Sequence, residues 1–270
     1  MGQDALSFCV IGNPVGHSKS PRIHAAFAAQ TGVNLHYHGC LAPLDGFEAT
    51  VAELRAAGYR GANVTVPFKL EAFDLCTALS PRARAAGAVN TLSFGAGVEG
   101  DNTDGAGLVA DIVRNAGVAV RDARVLLVGA GGAARGVILP LLEQQPVSLT
   151  LVNRTAATAH AVAAHFNGRV DVRGFDDLAG PFDIIINATS ASISGAVPPL
   201  PINVFGAATL ALDMMYGPAP TAFMDFAAGH GASVRDGLGM LVEQAAEAFY
   251  VWHGVRPDTA PVLAALKAGA

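Results

Sequence analysis

The length, composition and charge of the chain restrict what it can be. Its 270 residues are 51% hydrophobic and only 14% charged, which excludes intrinsic disorder and provides enough apolar surface for about two domains. A formal net charge of −5, without a basic run, argues against nucleic acid or an anionic membrane as the main partner. The sequence has neither a transmembrane-length apolar stretch nor a signal-peptide layout at its start, so the expected location is the cytoplasm.

The first third of the chain alternates short strands with helices. Strands are predicted at 8–11, 36–38 and 62–66, and helices at 21–30 and 47–57. This β-α-β-α-β order predicts parallel pairing with crossover helices. The three cysteines of the chain are scattered and show no CxxC spacing, so we expect reduced thiols rather than a disulfide or metal framework.

A second unit is predicted to begin near Asp104. Its predicted strands are 125–128, 149–152, 184–186 and 210–212, and its predicted helices are 107–115, 134–142 and 156–165. The continuous apolar character of the first of these strands suits a strand that is covered on both faces. A long amphipathic helix, 240–252, comes near the end of the chain. The sequence therefore predicts an α/β fold with two doubly wound domains.

A glycine-rich turn follows the most apolar strand and precedes a helix. The turn consists of Gly129, Ala130, Gly131, Gly132 and Ala133. This order is typical of dinucleotide sites, where glycines allow a pyrophosphate to approach the helix N-terminus. The next strand ends in Asn153, Arg154 and Thr155, where an NAD site usually has a carboxylate. A guanidinium and a hydroxyl favour a 2′-phosphate, so the sequence predicts NADP, although Thr155 also suits a helix cap and Arg154 a solvated position.

Polar residues beside the strands of the first unit predict a substrate site. Ser18 and Ser20 lie in a loop before a helix, with Ser20 as the predicted N-cap and Pro21 as the first helical residue. Their hydroxyls suit a small carboxylate, but an ordinary capped loop explains them equally well. Thr65 on the third strand and Lys69 just beyond it lie at the same carboxyl edge, where open α/β sheets bind ligands.

An acidic partner for Lys69 is available at the boundary between the two predicted domains. A lone lysine is usually a solvated charge, but a lysine that faces Asp104 is suited to carry a proton. The alternative is that an aspartate of this segment only caps the following helix. Asn90 supplies another short polar side chain. His36 and His38 share one strand face without further ligands, so no metal site is predicted.

These motifs, taken in chain order, resemble those of the shikimate dehydrogenase family. In the first half they are Ile11-Gly12-Asn13-Pro14 with Ser18-Lys19-Ser20-Pro21, Asn63-Val64-Thr65-Val66-Pro67-Phe68-Lys69, Gly87-Ala88-Val89-Asn90-Thr91 and Gly100-Asp101-Asn102-Thr103-Asp104-Gly105. In the second half they are Gly129-Ala130-Gly131-Gly132-Ala133, Asn153-Arg154-Thr155, Ile186-Asn187-Ala188-Thr189-Ser190, Asp213-Met214-Met215-Tyr216 and the stretch from Asp236 to Gln244. Their joint order covers nearly the whole chain.

The resemblance implies a domain plan and an activity. It implies a substrate-binding catalytic domain formed by 1–105 plus 238–270, to which the C-terminal helices return, and a Rossmann NADP-binding domain formed by 106–237. It also implies reversible, NADPH-linked reduction of 3-dehydroshikimate to shikimate, a step in the biosynthesis of chorismate and aromatic amino acids. The expected assembly is a monomer or a homodimer, with no nucleic-acid or membrane partner.

The resemblance further implies roles for individual residues. Lys69 is the expected catalytic acid/base, paired with Asp104. The implied substrate contacts are Ser18 and Ser20 for the carboxylate, Thr65, Asn90 and Asp104 for ring hydroxyls, and Tyr216 and Gln244 to complete the pocket. The implied cofactor contacts are Gly129 to Ala133 for the pyrophosphate, Asn153, Arg154 and Thr155 for the 2′-phosphate, and Met214 and Gly237 beside the nicotinamide.

The sequence departs from the family pattern at two positions. Many members have a second arginine four residues after the first, where this chain has Thr158, so one phosphate contact is missing and a softer preference for NADP is expected. An acidic residue that some members have before the Ala-Gly-Ala-Val-Asn segment is replaced by Pro81. The alternatives are a quinate/shikimate dehydrogenase with broader substrate or NAD use, and a nucleotide-binding module without turnover.

Overall fold

The computed structural model describes residues 5–189 and 191–269, so Ser190 of the Asn-Ala-Thr-Ser motif lies outside the described residues. The chain divides into two compact units. Unit 1 contains the chain up to Gly107 and again from Val242 onward, and unit 2 is Leu108–Leu241. No helix of the described ranges is long and apolar enough to cross a membrane.

Unit 1 is built on a six-stranded mixed sheet. Its strands are β1 (Leu6–Gly12), β2 (Leu35–Leu41), β3 (Gly61–Val64), β4 (Ala78–Leu79), β5 (Thr91–Phe94) and β6 (Val98–Asp101), in the order β2-β1-β3-β5-β6-β4. The parallel pairing predicted for the first three strands is confirmed. The third strand ends at Val64, so the prediction that Thr65 lies on it is wrong. β5, which was not predicted, runs antiparallel to both β3 and β6.

Helices lie between and after these strands, and capping residues mark the ends of two of them. They are α1 (Ser20–Thr31), α2 (Phe47–Ala56), α3 (Lys69–Leu75) and α4 (Pro81–Ala86), followed after β6 by α5 (Asp104–Ala110). α1 ends at Gly32, whose φ of 71° lets its N–H bond to the carbonyl of Ala28. The N-cap of α4 is Ser80, whose hydroxyl accepts a hydrogen bond from the N–H of Ala83, and Pro81 is the first helical residue.

Unit 2 contains an all-parallel sheet with six strands. The strands are β7 (Arg124–Val128), β8 (Ser148–Val152), β9 (Asp171–Arg173), β10 (Ile184–Asn187), β11 (Leu210–Asp213) and β12 (Ser233–Arg235), in the order β12-β11-β10-β7-β8-β9. Its α-helices between strands are α6 (Gly132–Glu143), α7 (Ala156–Ala163) and α8 (Ala222–Gly229). The chain thus winds outward in both directions from the neighbouring strands β7 and β10, which is the doubly wound arrangement predicted from the sequence.

Two helices contain the residues at which the chain passes between the units. The predicted helix 107–115 is instead α5 followed by a π-helical turn, Asp111–Asn115. The predicted helix 240–252 is α9 (Leu238–His253), which enters unit 1 at Val242, and it is followed by α10 (Ala260–Ala268). In unit 1, α9 contributes Phe249 to an aromatic cluster that also contains Phe27 and the stacked pair His24 and Tyr37.

Candidate functional site

A lysine and an aspartate form an ion pair at one edge of the unit 1 sheet. The Nζ atom of Lys69 lies 2.5 Å from the Oδ2 atom of Asp104, and the two side chains are 24% and 10% exposed. Lys69 is the first residue of α3 and Asp104 the first of α5. The other carboxylate oxygen of Asp104 accepts a hydrogen bond of 2.9 Å from the amide of Asn90. The carboxylate is therefore held from two sides, while the ammonium keeps a solvent-accessible side.

The antiparallel direction of β5 explains why Asn90 lies beside this pair. β3 and β6 end at the edge where Lys69 and Asp104 follow them. Because β5 runs the other way, its beginning lies at that same edge, and Asn90 directly precedes it. The side-chain oxygen of Asn90 accepts from the N–H of Thr103 at 2.8 Å, so backbone contacts fix its amide group.

Gln244 reaches the same cluster from α9. Its Oε1 atom accepts from the Asn90 amide at 3.4 Å and from the Thr103 hydroxyl at 3.3 Å. Gly107 makes this approach possible, because a Cβ there would lie only 2.6 Å from the backbone nitrogen of Gln244. A residue near the C-terminus is thereby placed among residues from the first third of the chain.

The serine loop differs in detail from its prediction. α1 begins at Ser20 rather than after it, so the expectation that Ser20 is the N-cap and Pro21 the first helical residue is wrong. The hydroxyl of Ser18 instead accepts a hydrogen bond of 3.2 Å from the N–H of Ser20 and thus satisfies a free donor of the first turn. The neighbouring Thr65 is held just beyond β3 by a bond of 2.9 Å from its N–H to the carbonyl of Ile11 on β1.

Asn63 is a buried polar residue of this region that sequence reasoning did not select. It lies on β3, and its amide donates to the carbonyl of Asn90 and to the hydroxyl of Thr91, each at 3.2 Å. Its oxygen accepts a hydrogen bond of 2.7 Å from the hydroxyl of Tyr37. Burial raises the pKa of Tyr37, whose hydroxyl also contacts the side chain of Ser20. An asparagine inside a four-residue strand was the available signal, because a polar residue there needs partners.

A network of charged side chains connects α4, β6 and α9 in unit 1. Arg82 of α4 donates to both carboxylate oxygens of Asp101, at 2.7 and 2.6 Å, and to Glu247 of α9 at 2.9 Å. Burial opposes the charge on Asp101, but the bonds from Arg82 outweigh it and hold the pKa of this carboxyl below its usual value. Glu247 follows Gln244 by three residues, so this network anchors the turn of α9 that carries Gln244.

In unit 2, the glycine-rich turn leads directly into α6. Gly129 has a φ of 107°, and a Cβ there would lie 3.0 Å from the side chain of Thr189, so only glycine fits. α6 begins at Gly132, two residues before the predicted start. A Cβ on Gly131 or Gly132 would meet nothing within 4 Å, so the side-chain positions of both glycines are open, and the first turn of α6 has N–H groups without partners in the helix. Ala130 and Ala133 lie within the same turn and helix start. This geometry fits a bound pyrophosphate.

The residues that follow β8 present a guanidinium and a hydroxyl to solvent. Arg154 and Thr155 are both exposed. Thr155 occupies the N-cap position of α7, but its hydroxyl makes no capping bond there. The side chain of Asn153 donates to the carbonyl of Thr155 at 2.9 Å and so fixes the turn.

The remaining predicted residues follow the ends of β11 and β12. Gly237 approaches Met214 closely, because a Cβ there would lie 2.7 Å from the Met214 carbonyl carbon, and the N–H of Gly237 donates to the carbonyl of Met215 at 2.9 Å. Burial raises the pKa of the half-buried Tyr216, and the charge of Asp236 adds to this effect. Met214, Gly237 and Tyr216 belong to unit 2, whereas the other predicted substrate and catalytic residues belong to unit 1.

A buried carboxylate organises these loops of unit 2. Asp213 is fully buried and accepts hydrogen bonds from Ser192 at 2.5 Å, Thr221 at 2.6 Å and Asn187 at 3.2 Å. Its other oxygen accepts from the N–H of Met215 at 3.0 Å, which fixes the chain next to Met214. Residues 5–189 and 191–269 contain no group of three or more His, Cys, Asp or Glu side chains arranged to hold a metal ion.

Comparisons with known proteins agree on one family. The family model described as the shikimate dehydrogenase substrate binding domain matches residues 10–92, that of shikimate / quinate 5-dehydrogenase matches 111–194, and that of the shikimate 5′-dehydrogenase C-terminal domain matches 237–267. The chain is 63% identical over 264 residues to a shikimate dehydrogenase (NADP(+)) of Herminiimonas arsenicoxydans, with 97% of each chain covered.

Two solved structures have the same fold along their whole length. An Ael1 enzyme from Pseudomonas putida matches with a TM-score of 0.94 and 46% identity, covering 97% of this chain and 98% of that one. A shikimate 5-dehydrogenase from Thermus thermophilus, solved in complex with NADP(H) and shikimate, matches with a TM-score of 0.87 and 33% identity. That match covers 98% of this chain and all of the other.

Proposed function

The chain belongs to the shikimate dehydrogenase family, and from that premise we propose that it catalyses the reversible, NADPH-linked reduction of 3-dehydroshikimate to shikimate. Unit 1 is the proposed substrate-binding catalytic unit and unit 2 the proposed NADP-binding unit. The observation that carries the proposal is the ion pair of Lys69 and Asp104, which lies among amide and hydroxyl groups at one edge of the unit 1 sheet. Such an edge binds a polyhydroxylated ring well, because each ring hydroxyl can both donate and accept.

Lys69 is the proposed proton carrier. The bound NADPH supplies a hydride to the ketone carbon of the substrate. Negative charge then develops on the ketone oxygen, and the Lys69 ammonium stabilises it and donates the proton that completes the hydroxyl. In the reverse direction the neutral amine accepts that proton. The side chain is 24% exposed, so solvent can restore its proton between turnovers.

Asp104 is proposed to orient the proton carrier. One oxygen of its carboxylate holds the Lys69 ammonium at 2.5 Å, and the other is fixed by Asn90. Its remaining lone pairs are suited to accept a hydroxyl of the substrate. Asn90, Thr65 and Gln244 are proposed to bind further ring hydroxyls, because all three lie in unit 1 and Gln244 contacts Asn90 directly.

The carboxylate of the substrate is assigned to the serine loop. Ser18 and Ser20 lie at the start of α1, whose N-terminus carries a partial positive charge, and the buried side chain of Ser20 also contacts the Tyr37 hydroxyl. Tyr216 is proposed to complete the substrate pocket, and Met214 and Gly237 are proposed to lie beside the nicotinamide. The turn from Gly129 to Ala133 is proposed to bind the pyrophosphate, and Asn153, Arg154 and Thr155 the 2′-phosphate.

The first test measures turnover through the absorbance of the reduced nicotinamide. Shikimate or quinate is offered with NADP or NAD in all four combinations. We expect turnover mainly with shikimate and NADP. Comparable turnover with quinate or NAD supports instead the broader quinate/shikimate dehydrogenase, for which the missing arginine at Thr158 is the specific observation. No turnover in any combination refutes the proposed activity.

A second test isolates the role of Lys69. Removing a general acid typically slows the chemical step by about 10²- to 10⁴-fold, so we expect Lys69→Ala to lose that much kcat with little change in the KM for shikimate. Lys267→Ala removes an exposed lysine of α10 and serves as the matched control. A rise in KM with an unchanged kcat would contradict the catalytic role and make Lys69 only a binding residue.

A further inference from the structure

An arginine on the edge strand of unit 2 lies next to the residues assigned to the 2′-phosphate. β9 pairs with β8 in parallel, and the register places Arg173 opposite Val152. Neighbouring strands are about 4.8 Å apart, and Val152 directly precedes Asn153, Arg154 and Thr155. Because Arg173 ends β9, its side chain starts at the same edge of the sheet and about one strand spacing from that segment.

Among the residues that the structure describes, the charge of Arg173 has no partner. Over residues 5–189 and 191–269 its guanidinium has no hydrogen bond or ion pair, and neither has that of Arg154, although both residues are exposed. Two other arginines of unit 2 are engaged: Arg235 binds Asp111, and Arg124 donates to two carbonyls. Two unpaired guanidinium groups on adjacent strand ends create a local positive potential that favours an anion.

Acidic side chains near Arg173 do not cancel this potential by direct pairing. Asp171 lies two residues earlier on β9, and Asp176 and Asp177 follow in a single 3-10 turn. The Asp177 carboxylate is directed at Gly174, since a Cβ there would lie 3.0 Å from its Oδ2 atom. None of the three forms an ion pair with Arg173 in the described part of the chain.

The geometry points to Arg173 as a second cationic contact for the adenosine 2′-phosphate, beside Arg154. This inference rests on the proposed function of unit 2. In this proposal Arg173 makes the second arginine contact to the phosphate, for which the sequence pattern has no arginine at position 158. Thr158 is half-buried in the first turn of α7, and its side chain is too short to replace a guanidinium. The preference for NADP over NAD would then be as strong as with two arginines, not softened as the sequence alone suggests.

Binding of nucleotide fragments tests the contact without requiring turnover. Calorimetry compares 2′,5′-ADP with 5′-ADP on Arg173→Gln, Arg154→Gln and the control Arg121→Gln, an exposed arginine that precedes β7 at the opposite edge of the sheet. Losing a charge-assisted bond to phosphate weakens affinity roughly tenfold or more. We therefore expect Arg173→Gln to weaken the affinity for 2′,5′-ADP by that factor and to leave the affinity for 5′-ADP within about twofold of the wild type. Arg121→Gln should change neither affinity.

A rescue variant separates a phosphate contact from a structural effect. Adding Thr158→Arg to Arg173→Gln places a guanidinium in the first turn of α7, and we expect it to restore most of the affinity for 2′,5′-ADP. The steady-state readout is the KM for NADP, which should rise in Arg173→Gln while the KM for NAD and both kcat values stay unchanged.

The outcomes distinguish this inference from the proposed function. If the wild-type protein binds 2′,5′-ADP much more tightly than 5′-ADP and only Arg154→Gln removes this difference in affinity, Arg173 does not contact the phosphate. The inference then fails while the proposed function stands. An equal loss of affinity for both nucleotides in Arg173→Gln also refutes the inference, because the effect is then not specific to the 2′-phosphate. If wild-type protein binds neither fragment and turns over no substrate, the proposed function itself fails.

Discussion

A buried ion pair in unit 2 gives a stability prediction whose size follows from the structure. Asp111 begins the π-helical turn after α5 and is fully buried. Arg235 at the end of β12 donates to both of its oxygens, at 2.8 and 2.6 Å, and Asn115 adds a third bond at 2.9 Å. Gly239 lies so close that any Cβ there would overlap the carboxylate. The site is thus built around a charge that Arg235 neutralises.

Replacing Arg235 by methionine leaves that carboxylate buried without its cation. Removing one partner of a buried pair costs about 3–5 kcal/mol, and the bond from Asn115 places the expected loss near the lower end, at about 3 kcal/mol. With an m-value of about 2 kcal/mol/M in urea, the unfolding midpoint of unit 2 falls by about 1.5 M. Asp111→Asn in the same chain removes the buried charge, so we expect the double variant to regain about half of the loss or more.

The assay is urea unfolding followed by two probes. Far-UV circular dichroism reports both units, whereas the single tryptophan, Trp252, lies in unit 1 and reports only that unit. The control is Arg256→Met, since the pair of Arg256 with Glu247 has its arginine 53% exposed and should contribute about 0–1 kcal/mol. The reasoning is refuted if Arg235→Met destabilises the protein no more than this control does.

Two further predictions concern titratable groups of unit 1. Burial, reinforced by His253, lowers the pKa of His24 to about 3 from 6.5, so the ring stays neutral in the folded protein while the unfolded chain gains a proton below pH 6.5. The free energy of unfolding should therefore fall by about 1.4 kcal/mol for each unit by which the pH is lowered between 6.5 and about 3. Acid unfolding of His24→Phe should lack this contribution to the slope, and a slope equal to that of the wild type would contradict the prediction. A hydrogen bond from the Cys9 thiol lowers the pKa of Cys40 to about 7, whereas burial raises the pKa of Cys76 to about 11. Iodoacetamide at neutral pH should thus label Cys40 first, and more slowly in Cys9→Ala, as mass spectrometry would show; earlier labelling of Cys76 would contradict this.

The ion pair was accessible to sequence reasoning, but its surroundings were not. The sequence places Lys69 beyond a predicted strand, where open α/β sheets bind ligands, and offers Asp104 as its partner from the boundary between the predicted domains. The strand β6, which brings Asp104 to the same edge, was not predicted. Asn90 joins them through β5, whose antiparallel direction leaves no trace in a short apolar run. Gln244 came only from family resemblance, because its contact with Asn90 spans 154 residues.

Local details went wrong where side chains compete with general preferences. Ser20 followed by proline is a typical helix start, yet the N-cap is Lys19 and the helix begins one residue earlier, where the N–H of Ser20 donates to the hydroxyl of Ser18. The predicted continuous helix 107–115 widens into a π-helical turn at Asp111, the residue that pairs with Arg235 on a strand distant in sequence. Neither the pairing partner nor its position is encoded in helical periodicity.

The interrupted sequence of unit 1 has a consequence for synthesis on the ribosome. Unit 2 is complete once Leu241 has emerged, whereas unit 1 still lacks the segment from Val242 onward. Gln244, which accepts a hydrogen bond from Asn90, and Trp252, which donates to the carbonyl of Leu92, are therefore synthesised after unit 2. Multidomain chains usually fold from the N-terminal domain onward, but here the unit that starts first is the one that finishes last. The sheet formed by the first hundred residues therefore remains without α9 until all of unit 2 has been translated.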